Sequence, residues 1–195
     1  MIFEKKRVHI DDKNAAVLLN TVISNLIEKL NYTSDRDIII LCVGTDRSTG
    51  DSLGPLTGTL LKKNRIFPAT IIGNIHTPVH ASNLKETIDE INRKYVDPFI
   101  IAIDAGLGKQ SSVGYIDVKK GPLKPGTGVN KTLPAIGSMH ITGLVNVGGY
   151  MEYLVLQSTR LSVVFKMAET ISSALNLTLS SIKKESTSKE LSIID

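Results

Sequence analysis

The chain has 195 residues and a formal net charge of +4, and 42% of its residues are hydrophobic while 22% are charged. This length is typical of one medium-sized domain, and the composition excludes a disordered or fibrous chain. The apolar runs are too short to cross a bilayer, and no apolar secretion segment follows the N-terminal basic residues. We therefore predict a cytoplasmic protein with no membrane partner. Scattered cations without interleaved aromatic residues also argue against nucleic-acid binding.

Helices and strands alternate in the predicted order of elements. Apolar residues spaced three and four apart predict a first helix over about 15–30, and the apolar run 37–44 predicts a strand covered on both faces. Further helices are predicted over 55–64, 83–95 and 161–179, and further strands over 69–75, 99–104, 113–119, within 133–147 and over 152–156. This alternation predicts one α/β domain, residues 1–182, with a mainly parallel sheet and helices on both faces. The polar segment 183–195 is predicted to be a flexible tail.

The single cysteine of the chain, Cys42, lies inside the first apolar run. It has no partner for an intrachain disulfide, which suits a reducing compartment. The sequence predicts a buried structural thiol.

Acidic side chains follow two of the predicted buried strands. Asp51 comes shortly after the strand that ends at Gly44, and Asp104 ends the strand 99–104. Ligands of open α/β sheets bind beyond the carboxyl ends of the strands, so both carboxylates are candidates for one site. Two neighbouring carboxylates resist ionising together and can divide the roles of acid and base. For Asp51 the alternative is a helix cap.

The glycine-containing loop between the first strand and its helix does not match a phosphate-binding loop. Asp51 and Ser52 stand where a P-loop requires lysine and a hydroxyl residue, and an aspartate would repel phosphate.

Several neighbours of these strands are secondary candidates for substrate binding. Asp46 either lines the site or stabilises its own turn, and Arg47 either pairs with Asp46 or binds a substrate carboxylate. The loop that holds Gly126 and Thr127 is either a backbone wall for an extended substrate or an ordinary rigid turn. The last candidate of this group is Thr45.

The histidines leave more than one interpretation open. His76 and His80 follow the second strand in an irregular loop and form a weak candidate for metal ligation. His140 is either a site residue or a histidine whose hydrogen bonds are satisfied within the sheet.

Four blocks of the sequence, in this order, resemble the spore germination protease, which degrades small acid-soluble spore proteins. They are Gly44-x6-Asp51-x-Leu53-Gly54-Pro55, Ile100-Ile101-Ala102-Ile103-Asp104-Ala105, Pro125-Gly126-Thr127-Gly128-Val129 and Ala135-Ile136-Gly137. In size and pattern the chain is similar to the short sporulation proteins of that superfamily. The resemblance implies a three-layer α/β/α sandwich, shared with the hydrogenase maturation endopeptidases, and it places two catalytic aspartates at Asp51 and Asp104.

The resemblance implies a sporulation-associated peptidase that acts on a protein or peptide, such as a spore protein, and that assembles as a homo-oligomer. It also implies an alternative taken from the hydrogenase maturation endopeptidases, in which Asp51, Asp104 and His140 bind a divalent metal. No other cofactor is predicted. A further alternative is a catalytically silent peptide- or partner-binding protein, because Asp46 and Arg47 make the turn before Asp51 more charged than in the protease.

Overall fold

The computed structural model describes residues 7–63, 69–125 and 134–191, with the backbone alone for 183–191. Its described strands form one sheet in the order β1-β5-β6-β4-β2-β3. These strands are β1 (Arg7–His9), β2 (Ile38–Cys42), β3 (Ala69–Ile72), β4 (Phe99–Gly108), β5 (Tyr115–Lys120) and β6 (Met139–Val147). The pairings β2–β3, β2–β4 and β4–β6 are parallel, whereas β5 runs antiparallel to β1 and to β6. The predicted mainly parallel sheet is confirmed.

Helices cover both faces of this sheet. They are α1 (Ala15–Lys29), α2 (Leu53–Lys63), α3 (Leu84–Lys94), α4 (Glu152–Gln157) and α5 (Leu161–Leu191). Helices α1 and α2 both pack against α5 on one face, while α3 contributes Leu84 and Ile91 to the apolar cluster of the opposite face. The described elements therefore form the predicted three-layer sandwich.

The central strand β2 shows why the sequence adopts this arrangement. Every residue of β2 is buried, because successive side chains of a strand point to opposite faces and both faces are covered. Ile38 and Ile40 join the cluster under α1 and α5, whereas Ile39 and Leu41 join the cluster under α3. A run of β-branched residues is the pattern expected for such a strand.

Cys42, at the end of β2, is fully buried and forms no disulfide in the described chain. Burial raises the pKa of its thiol to about 12, so the thiolate, the reactive form, is suppressed. The predicted buried structural thiol is confirmed.

Some predicted elements differ from those in the structure. The segment 152–156 was predicted as a strand but forms α4, because a short apolar run fits both periodicities and both edges of neighbouring β6 are already paired. Helix α5 continues to Leu191, beyond the predicted end at residue 179. Strand β5, within the predicted strand 113–119, lies between β1 and β6 with Ile116 and Val118 buried. The boundary at residue 182 and the flexible tail stay predictions.

The described helices were also compared with the requirements of a membrane span. Within residues 7–63, 69–125 and 134–191, no helix is both long and apolar enough to cross a bilayer.

The strands end at different heights on the carboxyl edge of the sheet. The Val43 N–H donates to the carbonyl of Ile103 on β4 at 2.8 Å, but the next amide, that of Gly44, donates to Val79 at 2.7 Å. The chain after β2 thus turns away from β4, which continues to Gly108 with β6 as its neighbour. This difference in height leaves a notch beside the last residues of β4.

Candidate active site

A pocket of about 400 Å³ occupies this notch. Its volume lies within the usual range for small-molecule and cofactor sites. The side chains that bear on its chemistry come from three regions, namely the loop after β2, the loop after β3 and the end of β4. They are Thr45, Arg47, Ser48, Asp51, His80 and Asp104. Both predicted catalytic aspartates therefore line one pocket.

Asp51 is held by a short 3-10 turn over Gly50–Ser52 that leads into α2. The loop folds back on this turn, and the Thr45 N–H donates to the Asp51 carbonyl at 3.1 Å. Gly44, with φ +141°, permits this approach because a Cβ at that position would overlap the Asp51 carbonyl oxygen. Among the described residues, the Asp51 carboxylate accepts no backbone N–H of α2, so it does not act as the helix cap that was the alternative.

Burial makes the charged form of the Asp51 carboxyl less favourable. The pKa of the partly buried Asp51 carboxyl is raised by desolvation, and the neighbouring Ser48 hydroxyl offsets part of this rise. Ser48 itself is only 5% exposed.

Asp104 lies on β4 opposite Thr142 of β6. Its Oδ1 accepts the backbone N–H of the next residue, Ala105, at 2.8 Å. Desolvation, together with the negative charge of Asp51, raises the pKa of the Asp104 carboxyl to about 8. This effect of Asp51 shows that the two carboxylates interact electrostatically across the pocket.

The two aspartates are therefore unequal at neutral pH. Asp104 holds a proton for most of the time at pH 7, because its pKa is about 8. Burial also raises the pKa of Asp51, but the charge of Asp51 is among the causes that raise the pKa of Asp104, which makes Asp104 the member of the pair that holds the proton. One carboxylic acid beside one carboxylate can supply a general acid and a general base in a single site.

Two buried polar atoms of the pocket have no complete hydrogen bond to any residue that the structure describes. They are Ser48 Oγ, which lies beside Asp51 without full hydrogen-bond geometry, and His80 Nδ1. Buried polar atoms are almost always satisfied, by protein groups or by water or ligand. These two atoms thus mark where a polar ligand or a water molecule would be held.

His80 was linked in the sequence to His76 as a pair for metal ligation, but the fold separates the two. His80 lines the pocket, and its backbone N–H is fixed by the Asn83 Oδ1 at 2.8 Å. His76 is exposed and does not line the pocket. The only sequence signal for His80 was its place in a loop after a strand.

The remaining predicted residues are divided between the pocket and other places. Thr45 and Arg47 line the pocket, and the Arg47 N–H donates to Thr45 Oγ1 at 3.3 Å, whereas Asp46 is exposed outside it. Gly126 and Thr127 lie outside the described residues. The sequence analysis missed three lining residues of α4, which are Glu152, Tyr153 and Leu156.

His140 does not lie in the pocket. It occupies β6 opposite Ala102, two residues before the level of Asp104, and its Nδ1 hydrogen-bonds with the Gly121 carbonyl at 2.8 Å. In the described parts of the chain, no three His, Cys, Asp or Glu side chains are grouped closely enough to hold a metal ion. The predicted set of Asp51, Asp104 and His140 therefore does not fit a metal.

Comparison with known proteins places the chain in a family. The family described as "Protein of unknown function (DUF1256)" matches residues 7–174. The chain belongs to the DUF1256 family. It is 46% identical over 174 residues to the uncharacterized protein YyaC of Bacillus subtilis (strain 168), which covers 89% of this chain and 83% of YyaC.

A solved structure shares the fold of this DUF1256 member. It is the [NiFe] hydrogenase maturation protease HycI from Thermococcus kodakarensis KOD1, with a TM-score of 0.50 and 12% sequence identity. The superposition covers 82% of this chain and 99% of HycI. At that identity the likeness concerns the fold, which is the sandwich predicted through the hydrogenase maturation endopeptidases.

Proposed function

We propose that this DUF1256 protein is a peptidase in which Asp51 and Asp104 act as an acid–base pair in peptide-bond hydrolysis. The observation that carries the proposal is the pair of inequivalent carboxyls in one pocket at the carboxyl edge of the sheet. The fold shared with a maturation protease supports it.

The hydrolytic step assigns one role to each aspartate. The Asp51 carboxylate accepts a proton from a water molecule as the water oxygen attacks the carbonyl carbon of the substrate. The protonated Asp104 then donates its proton to the leaving nitrogen as the C–N bond breaks, which yields a carboxylic acid and an amine. Proton transfer then restores the starting states of both side chains.

The four sequence blocks that resemble the spore germination protease extend the proposal to biological context. We infer a role in sporulation, in the cytoplasm of a spore-forming cell or the spore interior, on a protein or peptide substrate such as a spore protein. Assembly as a homo-oligomer belongs to the same inference.

Replacing either aspartate by asparagine tests the proposed reaction. Asp51→Asn removes the base and Asp104→Asn removes the acid, and each should lower the rate of cleavage of proteins in a spore extract by about 10²–10⁴-fold. The measurement is the appearance of new peptide termini, followed by mass spectrometry. The matched control is Asp89→Asn, because Asp89 is exposed on α3.

The outcomes separate three functions. Cleavage by the wild type and by Asp89→Asn but not by the two site variants supports the acid–base pair. Equal cleavage by all four proteins removes the aspartates from catalysis. Capture of an intact peptide without any cleavage by the wild type favours the silent binding protein instead.

A further inference from the structure

Within the part of the chain that the structure describes, one stretch of strand β4 beside the two aspartates has a strand on one side only. Strand β2 pairs with β4 only as far as Cys42 opposite Ile103, whereas β4 continues to Gly108 and pairs with β6 along this stretch. No described strand lies on the other side of β4 beyond Ile103. The free stretch includes Ala105, Gly106 and Leu107, which all line the pocket.

The direction of the backbone groups follows from two hydrogen bonds. The Ile103 carbonyl accepts from Val43 on the β2 side, and the Gly108 carbonyl accepts from Gly148 on the β6 side. The N–H and C=O of one residue in a strand point the same way, and consecutive residues alternate. Ala105 and Leu107 therefore present their backbone groups to the open side, like Ile103.

These open groups can receive another strand. Ala105 and Leu107 have four backbone groups on this side, and one of them, the Ala105 N–H, donates to Asp104 Oδ1. The Ala105 carbonyl and the N–H and carbonyl of Leu107 have no hydrogen-bond partner in the described chain outside the sheet ladder. Unpaired N–H and C=O groups along a sheet edge are a template for an extended peptide.

The walls of the notch suit the two faces of such a peptide. Leu107 and Leu156 both pack against the cluster under α5, on one face of the sheet, and Tyr153 of α4 is 57% exposed at the pocket. On the other face, His80 follows Val79 of the cluster under α3. Alternate side chains of an added strand would thus meet an apolar wall and a polar wall.

We propose that the β4 edge from Ala105 to Leu107 binds an extended segment of a polypeptide substrate as an additional strand of the sheet. This inference rests on the proposed peptidase function, since it places the segment's backbone beside Asp51 and Asp104. Recognition is then through main-chain hydrogen bonds, and specificity is for an unfolded segment with apolar side chains at every second position. A folded domain, whose main-chain groups are already paired, is not a substrate.

Binding and cleavage are measured separately, so that the two proposals can fail independently. The probe is a library of blocked decapeptides in which valine, leucine or phenylalanine alternates with serine. Binding to the Asp51→Asn variant is measured by fluorescence anisotropy, which does not require catalysis. Each backbone N–H of the best-binding member is then replaced, one at a time, by N-methyl.

The N-methyl series reports the geometry of binding. Pairing with the β4 edge predicts that affinity falls about fivefold or more at every second residue of the bound stretch and little at those between. A uniform loss, no dependence on position, or no binding by any library member overturns the edge proposal. If cleavage that depends on Asp51 and Asp104 is nevertheless seen in spore extract, the peptidase function stands without it.

Leu107→Pro tests the same edge from the protein side. Proline removes an N–H that faces away from β6, a position where edge strands tolerate it. The expected result is at least fivefold weaker peptide binding, with Asp89→Asn, an exposed substitution on α3, close to wild type. If Leu107→Pro instead abolishes a dimer seen by sedimentation while the peptides do not bind, the edge pairs two copies of the chain and the proposal is overturned.

Discussion

In the proposed mechanism, the surroundings of Asp51 and Asp104 assign different tasks to the same functional group. Burial raises the pKa of both carboxyls, but Asp104 also faces the charge of Asp51, and its pKa reaches about 8. The sequence predicts both residues, because each follows a recognisable buried strand. It does not predict which is the acid, because that depends on the depth of each side chain in the fold.

His80 is the other residue whose role depends on the tertiary structure. Their shared place in the loop after a strand gave no reason to prefer His76 or His80, yet only His80 of the two lines the pocket, and its buried Nδ1 has no hydrogen-bond partner among the described residues. We infer that this nitrogen holds water or substrate beside the aspartates.

The pair of histidines provides a matched test. His80→Gln should lower kcat/KM for the cleaved substrate by about 10- to 100-fold, the loss expected for a hydrogen bond to a charged or strongly polar group. His76→Gln should leave kcat/KM unchanged, because His76 is exposed outside the pocket. Equal effects of the two substitutions, or none, would contradict the assignment, and thermal melts of both variants separate it from loss of folding.

Among the secondary-structure elements, those with a distinctive composition are predicted better than short segments with little periodicity. Strands β2 and β4 were predicted because their β-branched apolar runs fit a strand buried on both faces. Helix α4 was predicted as a strand, because six residues hold too little periodicity to distinguish the two. The error also removed Tyr153 and Leu156 from the predicted site, although the aspartates were found.

The close approach of α2 to the sheet fixes the position of Asp51. A Cβ at Gly54 would overlap the carbonyl oxygen of Val43, and a Cβ at Gly58 would overlap that of Gly73. Both obstacles are backbone atoms, which cannot move aside as a flexible side chain can. The small residues of α2 therefore let the helix lie directly on β2 and hold the preceding turn against the pocket.

Substitution of these helix glycines tests this packing. Gly54→Ala should destabilise the protein despite the better helix propensity of alanine, by about 1–3 kcal/mol in the free energy of unfolding, because overpacking shifts α2. Gly108→Ala is the control, since its added Cβ would meet only side-chain atoms at 3.4 Å or more. Urea denaturation measures both variants, and a stabilised Gly54→Ala protein would refute the close contact.

At the scale of the whole molecule, carboxyls with opposite pKa shifts make stability depend on pH in two ways. Asp104 has a pKa of about 8 in the folded protein, against an ordinary value of 3.8, so the folded state retains a proton that the unfolded state has lost. The stability that this retained proton provides is complete below about pH 4 and is lost as the pH rises through 8. Asp117 behaves in the opposite way, because hydrogen bonding to Arg7 helps lower its pKa below the usual value against the opposing effect of burial.

Urea denaturation across pH tests this balance. Between pH 5 and 8 the free energy of unfolding should fall with rising pH, with a contribution from Asp104 of at most about 1.4 kcal/mol per pH unit. Asp104→Asn should remove that contribution. Asp117→Asn should keep the contribution of Asp104. It should instead lose the stability that the ionised Asp117 gives the wild type above about pH 4. Identical profiles for wild type and Asp104→Asn would show that the pKa of Asp104 is not raised.

The sandwich as a whole was predictable because its strands and helices alternate in a regular order. The notch was not, since it arises from the difference in length between β2 and β4 and from the turn of the chain toward Val79 after Gly44. Neither length can be read from apolar content, because the end of β4 contains glycines that resemble a turn. The order of the elements therefore predicts the layers of the sandwich, whereas the pocket depends on where β2 and β4 end relative to each other.

The hydrogen bond from the Ala105 N–H to Asp104 Oδ1 has a stereochemical consequence. An oxygen that accepts an amide hydrogen leaves the carboxyl hydrogen to the other oxygen, so under the proposed mechanism Oδ2 is the proton donor. The main chain thereby orients the carboxyl group, and the proposed proton transfer would reach an incoming amide from one face. Asparagine at this position can preserve that orientation through its side-chain oxygen. Its NH₂ group takes the place of Oδ2, so the shape of the side chain is retained, but the amide cannot act as an acid.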